Sequence, residues 1–83
     1  MRISLKLFAS LAKCLPSGAK GNQVELEVAD DESPAQVLER LRVPLDQAHL
    51  WLLNGVYIEP EDRHTPVLKD GDTLAVWPPV AGG

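Results

Sequence analysis

The residues of this chain whose types and spacing suit chemistry are gathered at its end, Trp77-Pro78-Pro79-Val80-Ala81-Gly82-Gly83. Pro78 and Pro79 fix φ and carry no N–H, so they cannot continue a central strand and favour an extended exit. Gly82 and Gly83 carry no Cβ, which makes the last step of backbone as thin as a polypeptide allows. Fully extended, residues 78–83 reach about 20 Å at ~3.3 Å per residue. A stiff stem with a thin tip suits a tail threaded into another protein's site, with the Gly83 carboxylate at its end. A carboxylate is a poor acyl donor until it is activated, so this motif alone names no reaction.

Other reactive side chains are few and scattered. Cys14, His49 and His64 are the soft ligands, and no pair of them has the spacing of C-x-x-C or H-x-x-x-H. Nothing in the sequence orients a histidine toward Cys14, so a nucleophilic pair has no support. Ser33 is better explained as a helix cap than as a nucleophile. Glu59 and Glu61 fall in a polar loop, where nothing would raise a carboxyl pKa for acid catalysis. No glycine cluster precedes a helix, which excludes a phosphate loop. The domain is therefore not expected to be an enzyme, and neither a metal nor a bound cofactor is expected. Trp51 and Trp77 read first as strand residues packed in the core or at its rim. The other reading is an apolar patch on the sheet that docks a partner.

Composition narrows the class. Eighty-three residues make one domain with a small core. A hydrophobic share of 45% is ordinary for a globular chain and too high for a disordered one. The formal net charge of −4 comes with acids at Asp30-Asp31-Glu32, Glu59 to Asp62, and Asp70 with Asp72. That pattern lacks the clustered basic footprint of a nucleic-acid binder. The one cysteine allows no internal disulfide. Lys6 and Lys13 interrupt the apolar run near Leu7-Phe8-Ala9 and Leu11-Ala12, so neither a signal core nor a membrane span is expected. The expected location is the cytoplasm.

These features require a platform, and the periodicity supplies one. Ile3, Leu5 and Leu7 alternate with Ser4, Lys6 and Phe8, which predicts a first strand over 2–8. Residues 9–15 suit a short helix, and 16–22 a loop by turn chemistry. Val24, Leu26 and Val28 alternate with Gln23, Glu25 and Glu27 in a second, half-exposed strand. Ser33-Pro34-Ala35-Gln36 carries a capping box with proline at the first helical position, and predicts a helix over 34–42 that Pro44 ends. Val37, Leu38 and Leu41 would share its buried face. Asn54-Gly55 between Leu50-Trp51-Leu52-Leu53 and Val56-Tyr57-Ile58 is a strong hairpin signal. Residues 59–66 read as a polar loop, Val67-Leu68 as a brief strand or turn contact, and 69–72 as a turn. Thr73 to Trp77 is the last strand and feeds directly into the tail. One helix laid across a mixed sheet of four or five strands satisfies this burial pattern. The fold class is α+β, a β-grasp domain over 1–77 with the last strand central beside the first, and a tail over 78–83.

With strand order and tail together, the chain resembles the ubiquitin-like sulfur carrier family, which includes the thiamine sulfur carrier, and within it the small subunit of molybdopterin synthase. The carrying residues are Leu5-Lys6-Leu7-Phe8-Ala9, Leu53-Asn54-Gly55 with Tyr57, Leu68-Lys69-Asp70-Gly71-Asp72 and, above all, Trp77 to Gly83. The resemblance implies that an E1-like adenylating enzyme uses ATP to activate the Gly83 carboxylate, and that sulfur then replaces the adenylate to give a thiocarboxylate. It also implies that the tail enters the large subunit of molybdopterin synthase, where the sulfur builds the dithiolene of the pterin. Pro78, Pro79 and Val80 would anchor the exit on a partner, which Ala81 and Gly82 would also contact, and Gly82 and Gly83 would let the terminus pass through a narrow channel. The loop from Leu15 to Asn22 is longer, and Leu50-Trp51-Leu52-Leu53 bulkier, than the molybdopterin branch suggests. Tungsten cofactor, thiamine or another sulfurated metabolite therefore remain alternative acceptors, and a protein modifier conjugated through Gly83 remains an alternative role.

Overall fold

A computed structural model describes residues 1–79. Five strands form one mixed sheet: β1 (Arg2–Leu7), β2 (Gln23–Glu27), β3 (Leu50–Leu53), β4 (Val56–Tyr57) and β5 (Thr73–Trp77), in the order β2-β1-β5-β3-β4. The last strand lies in the middle, parallel to β1 and antiparallel to β3. One helix, α1 (Pro34–Arg40), covers one face. This is the expected β-grasp architecture, one helix laid across a mixed five-stranded sheet.

The core forms where α1 meets the sheet. Ile3, Leu5 and Leu7 of β1, Leu74 and Val76 of β5, and Val37 and Leu38 of α1 are all essentially shut off from solvent. Alternation puts every second strand residue on that face, which is why the period of two was readable. Trp51 of β3 joins the core, and its indole N–H donates to the Ala48 carbonyl at 2.7 Å, so its polar atom is satisfied inside.

Helix α1 begins as expected. The Ser33 hydroxyl accepts from the Gln36 N–H at 3.1 Å, and the Gln36 side chain accepts from the Ser33 N–H at 2.8 Å. Its end differs. The helix stops at Arg40, with Arg42 at a φ of 61°. The Arg42 N–H donates to Glu39 and the Val43 N–H to Leu38, both at 2.9 Å. That is a Schellman closure with arginine in the left-handed position that glycine usually takes, so the turn ends the helix before Pro44 can. The segment expected as a helix over 9–15 is instead a 3-10 turn, Ala9–Cys14, which opens on Ala9 at a φ of 52° and buries Leu11. Two further 3-10 turns follow, Leu45–Gln47 after Pro44 and Pro60–His64 inside the expected polar loop. Val67 and Leu68 form no strand, and Leu68 is a buried core contact.

Two turns fix the start of β5. Asn54 and Gly55 both have positive φ, 52° and 83°, as a two-residue hairpin turn of this hand requires. The buried Asp72 carboxylate accepts from the Lys69 N–H at 2.7 Å and from the Asn54 side chain at 2.9 Å, while the Asn54 oxygen accepts from the Thr73 N–H at 2.8 Å. The hairpin is thereby tied to the turn that precedes β5.

The closure at Arg42 makes a signed prediction. Arg42→Gly relieves left-handed strain of about 1 kcal/mol, partly offset by the greater freedom of glycine when unfolded, and should stabilise the fold by about 0.5 kcal/mol. Arg42→Val, branched at Cβ, should destabilise it by about 1 kcal/mol or more. Denaturant midpoints of the two variants check both signs.

Candidate functional site: the tail exit on the open sheet face

The exit is assembled from the last residues of β5 and the strands on either side. The Val76 carbonyl accepts from the Phe8 N–H at 3.2 Å, on the β1 side. The next carbonyl, Trp77, accepts from the His49 N–H at 2.9 Å, on the β3 side. The strand is thus held from both flanks up to the residue before Pro78. Pro78 is half-buried and Pro79 exposed. Neither proline has an N–H to offer, so pairing stops here for a covalent reason. Val80, Ala81, Gly82 and Gly83, which the sequence singles out as the working tail, lie outside the described residues.

Because Val76 points into the core, Trp77 points to the open face of the sheet. Its indole stacks on Phe8, with ring centroids 4.3 Å apart and planes within 2°. Leu50 pairs with Trp77 across β3, and Leu52 pairs with both Ala75 and Tyr57. The result is an apolar strip running from Phe8 and Trp77 through Leu50 and Leu52 to Tyr57. Leu50 and Tyr57 are 36% and 47% exposed, an open position for such side chains. Beside the strip, Lys6 pairs in register with Ala75 on one side and Gln23 on the other. On the β2 flank, Arg2 lies 2.8 Å from Glu27 and 3.8 Å from Glu25. Hydrogen bonding to Glu27, then the charges of Glu27 and Glu25, hold the Arg2 guanidinium's pKa above its ordinary value. The face therefore carries an apolar centre beside a charged margin in which the cations Lys6 and Arg2 balance the carboxylates Glu25 and Glu27.

The two tryptophans thus divide the two readings the sequence allowed. Trp51 is core, and the Arg63 guanidinium lies 5.1 Å over its ring and 5.5 Å over that of Tyr57. Trp77 belongs to the open apolar strip. Phe8 was legible as an exception, since it occupies the phase of β1 that Ser4 and Lys6 give to water. Only the parallel register of β1 and β5 brings it against Trp77. The remaining candidates do not converge. Cys14 is half-buried, His49 and His64 are exposed, and among the described residues no three His, Cys, Asp or Glu side chains are grouped to hold a metal. Among the described residues no helix is long and apolar enough to cross a membrane. A surface depression lined by Ser17, Lys20, Gln23 and Glu25 lies on the β2 edge, two strands from β5.

Comparison with known proteins agrees with this arrangement. The family model described as the ThiS family matches residues 5–83, so the chain belongs to the ThiS family, and the expected kinship with the ubiquitin-like sulfur carriers holds. The structure is similar to that of the Haloferax volcanii HVO 2177 protein, with 27% identity, coverage of 100% of this chain and 87% of that one, and a TM-score of 0.76. It is also similar to a chain in the complex of subunits 1 and 2 of molybdopterin-converting factor from Helicobacter pylori 26695, with 25% identity, 100% coverage of both chains and a TM-score of 0.62. A third likeness is to H. volcanii small archaeal modifier protein 1, with 25% identity, coverage of 95% and 98%, and a TM-score of 0.63. No curated protein gives a match.

The stacked pair should be measurable as a coupling. In a double-mutant cycle of Phe8→Ala and Trp77→Ala, unfolding free energies should show an interaction of about 0.5–1.5 kcal/mol. A coupling indistinguishable from zero would contradict the stack.

Proposed function

We propose that this ThiS-family chain is a sulfur carrier that works through the Gly83 carboxylate, with residues 78–83 as the working tail of a domain spanning 1–77. The observation that carries this reading is the family match, which runs through Gly82-Gly83, on a chain whose β5 carbonyls are held from both sides up to Trp77. In the first step a Gly83 carboxylate oxygen attacks the α-phosphorus of ATP on an E1-like adenylating enzyme, and pyrophosphate leaves. A sulfide-level nucleophile then attacks the carbonyl carbon of the acyl-adenylate, AMP leaves, and Gly83 ends in a thiocarboxylate. Activation must come first, because a free carboxylate is resistant to nucleophiles and its oxygen is a poor leaving group. Catalytic groups come from the partners, so the chain is co-substrate rather than enzyme. ATP is bound by the activating partner and no cofactor by the carrier.

For the acceptor, we favour molybdopterin synthesis in the cytoplasm. The thiocarboxylate sulfur would be delivered to a pterin precursor inside the large synthase subunit, and water would return the Gly83 carboxylate. Support comes from the likeness to the Helicobacter pylori complex of two molybdopterin-converting subunits, and from the Pro78-Pro79-Val80 stem with Ala81, Gly82 and Gly83 beyond it. The apolar strip of Leu50, Leu52, Tyr57 and Trp77 is the face offered to these partners, since it borders the exit and aromatic side chains suit interface cores. The likeness to small archaeal modifier protein 1 favours a second reading, conjugation of Gly83 to lysines of other proteins. Isopeptide-linked ladders in a pulldown would point to the modifier, and one discrete complex to the carrier.

Deleting Gly82-Gly83, or adding a residue after Gly83, should abolish ATP–pyrophosphate exchange with the E1-like partner while leaving the melting temperature unchanged. Gly82→Ala should slow exchange about tenfold or more, since a Cβ obstructs a channel shaped for glycine. Full exchange by the truncated or extended chain would refute both the carrier and the modifier readings.

A further inference from the structure

We infer that Phe8 is a positioning residue for the tail: by stacking on Trp77 it fixes the direction in which Pro78 and Pro79 leave the sheet. The inference rests on the carrier reading above. Three observations carry it. First, Phe8 stands on the open phase that continues from β1 and outside the buried core, so the core itself does not require an aromatic ring there. Second, its ring lies flat on that of Trp77, at 4.3 Å and 2°, which restricts the indole's rotation as a looser contact would not. Third, Ala9 follows at a φ of 52°, turning the backbone away from the line of β1 directly after the Phe8 N–H has bonded the Val76 carbonyl. A non-glycine residue at positive φ is an uncommon conformation that surrounding structure must enforce. Here the turn leaves Phe8, directly after β1, as the last residue alongside β5, level with the start of the tail.

The lever arm gives this contact its effect. Pro78 and Pro79 have fixed φ, so the orientation set at Trp77 is transmitted outward rather than lost in free rotation. A tilt of about 15° at Trp77 moves the far end of a two-proline stem ~7 Å long by about 2 Å, and misplacement of about 1 Å can cost a reaction 10²-fold. Backbone bonds hold the Val76 and Trp77 carbonyls, and the flat contact with Phe8 adds a side-chain restraint, so a tilt of Trp77 must break the stack as well as the hydrogen bonds.

Adenylation kinetics separate positioning from simple docking area. Phe8→Leu keeps an apolar side chain and removes the stack, whereas Phe8→Tyr keeps both. In ATP–pyrophosphate exchange with the E1-like partner, Phe8→Leu should lower kcat about tenfold with KM for the carrier changed less than about threefold. Phe8→Tyr should restore kcat. Circular dichroism melts confirm that each variant is folded at the assay temperature, and Phe8→Met replaces Phe8→Leu if the leucine variant is not. An unchanged kcat in a folded stack-deficient variant, or a rise in KM alone, overturns the inference and leaves the carrier reading intact. Failure of the wild-type chain to support exchange overturns the carrier reading, and the inference with it.

Discussion

The parallel pairing of the first and last strands is the constraint on which the rest of this molecule depends. Parallel neighbours cannot be joined by a tight hairpin, so the chain between β1 and β5 must cross over the sheet. That crossover carries α1, whose Val37 and Leu38 seal Leu5, Leu7, Leu74 and Val76 from water. With β5 thus central, its backbone is paired on both sides, and no edge remains along it for another chain to capture. The strand can then end abruptly. Phe8 and His49 close its last two carbonyls, and Pro78 forbids a further bond. The exit thus lies at the end of the middle strand of the sheet rather than on an edge strand or a loop.

The same architecture separates support from chemistry. Among the described residues nothing gathers into a metal centre, and the polar contacts named here are structural: a helix cap, a turn lock at Asp72, and Arg63 over Trp51 and Tyr57. Beyond these contacts the domain presents an open apolar strip and the end of β5. The sheet places Leu50, Tyr57 and Trp77 on one open face while the polar residues of β1 and β2 border it. In the proposed function the apolar strip would orient the carrier on each partner, and the tail would carry the reacting carbonyl out to catalytic groups that the partner supplies. Sharing one face between a loading enzyme and an acceptor enzyme would require release from the first before capture by the second.

Much of this fold was legible in the sequence because the signals are local. The capping box at Ser33 and Gln36, the Asn54-Gly55 turn and the alternation of Ile3, Leu5 and Leu7 each follow from the chemistry of a few adjacent residues, and each formed. The misread segments are those where tertiary context overrides local preference. Arg42 takes a left-handed position with no glycine to announce it, so the helix closes before Pro44. Ala9 does the same, turning an expected helix into a 3-10 turn. At the tail exit, the prolines and Trp77 were legible as residues, but the partners of Trp77 were not. Phe8 and Leu50 reach it only through the register of β5 with β1 and β3, which one sequence does not display.

The central claim is that Gly83 carries sulfur. Its most direct test is the intact mass of the protein purified from its own cells, and again after incubation with ATP, a sulfide source and its E1-like partner, with the modified peptide sequenced. The account predicts a mass gain equal to replacing one oxygen by sulfur, located on Gly83. A chain that remains an unmodified carboxylate in both samples, and forms no acyl-adenylate with that partner, would contradict it.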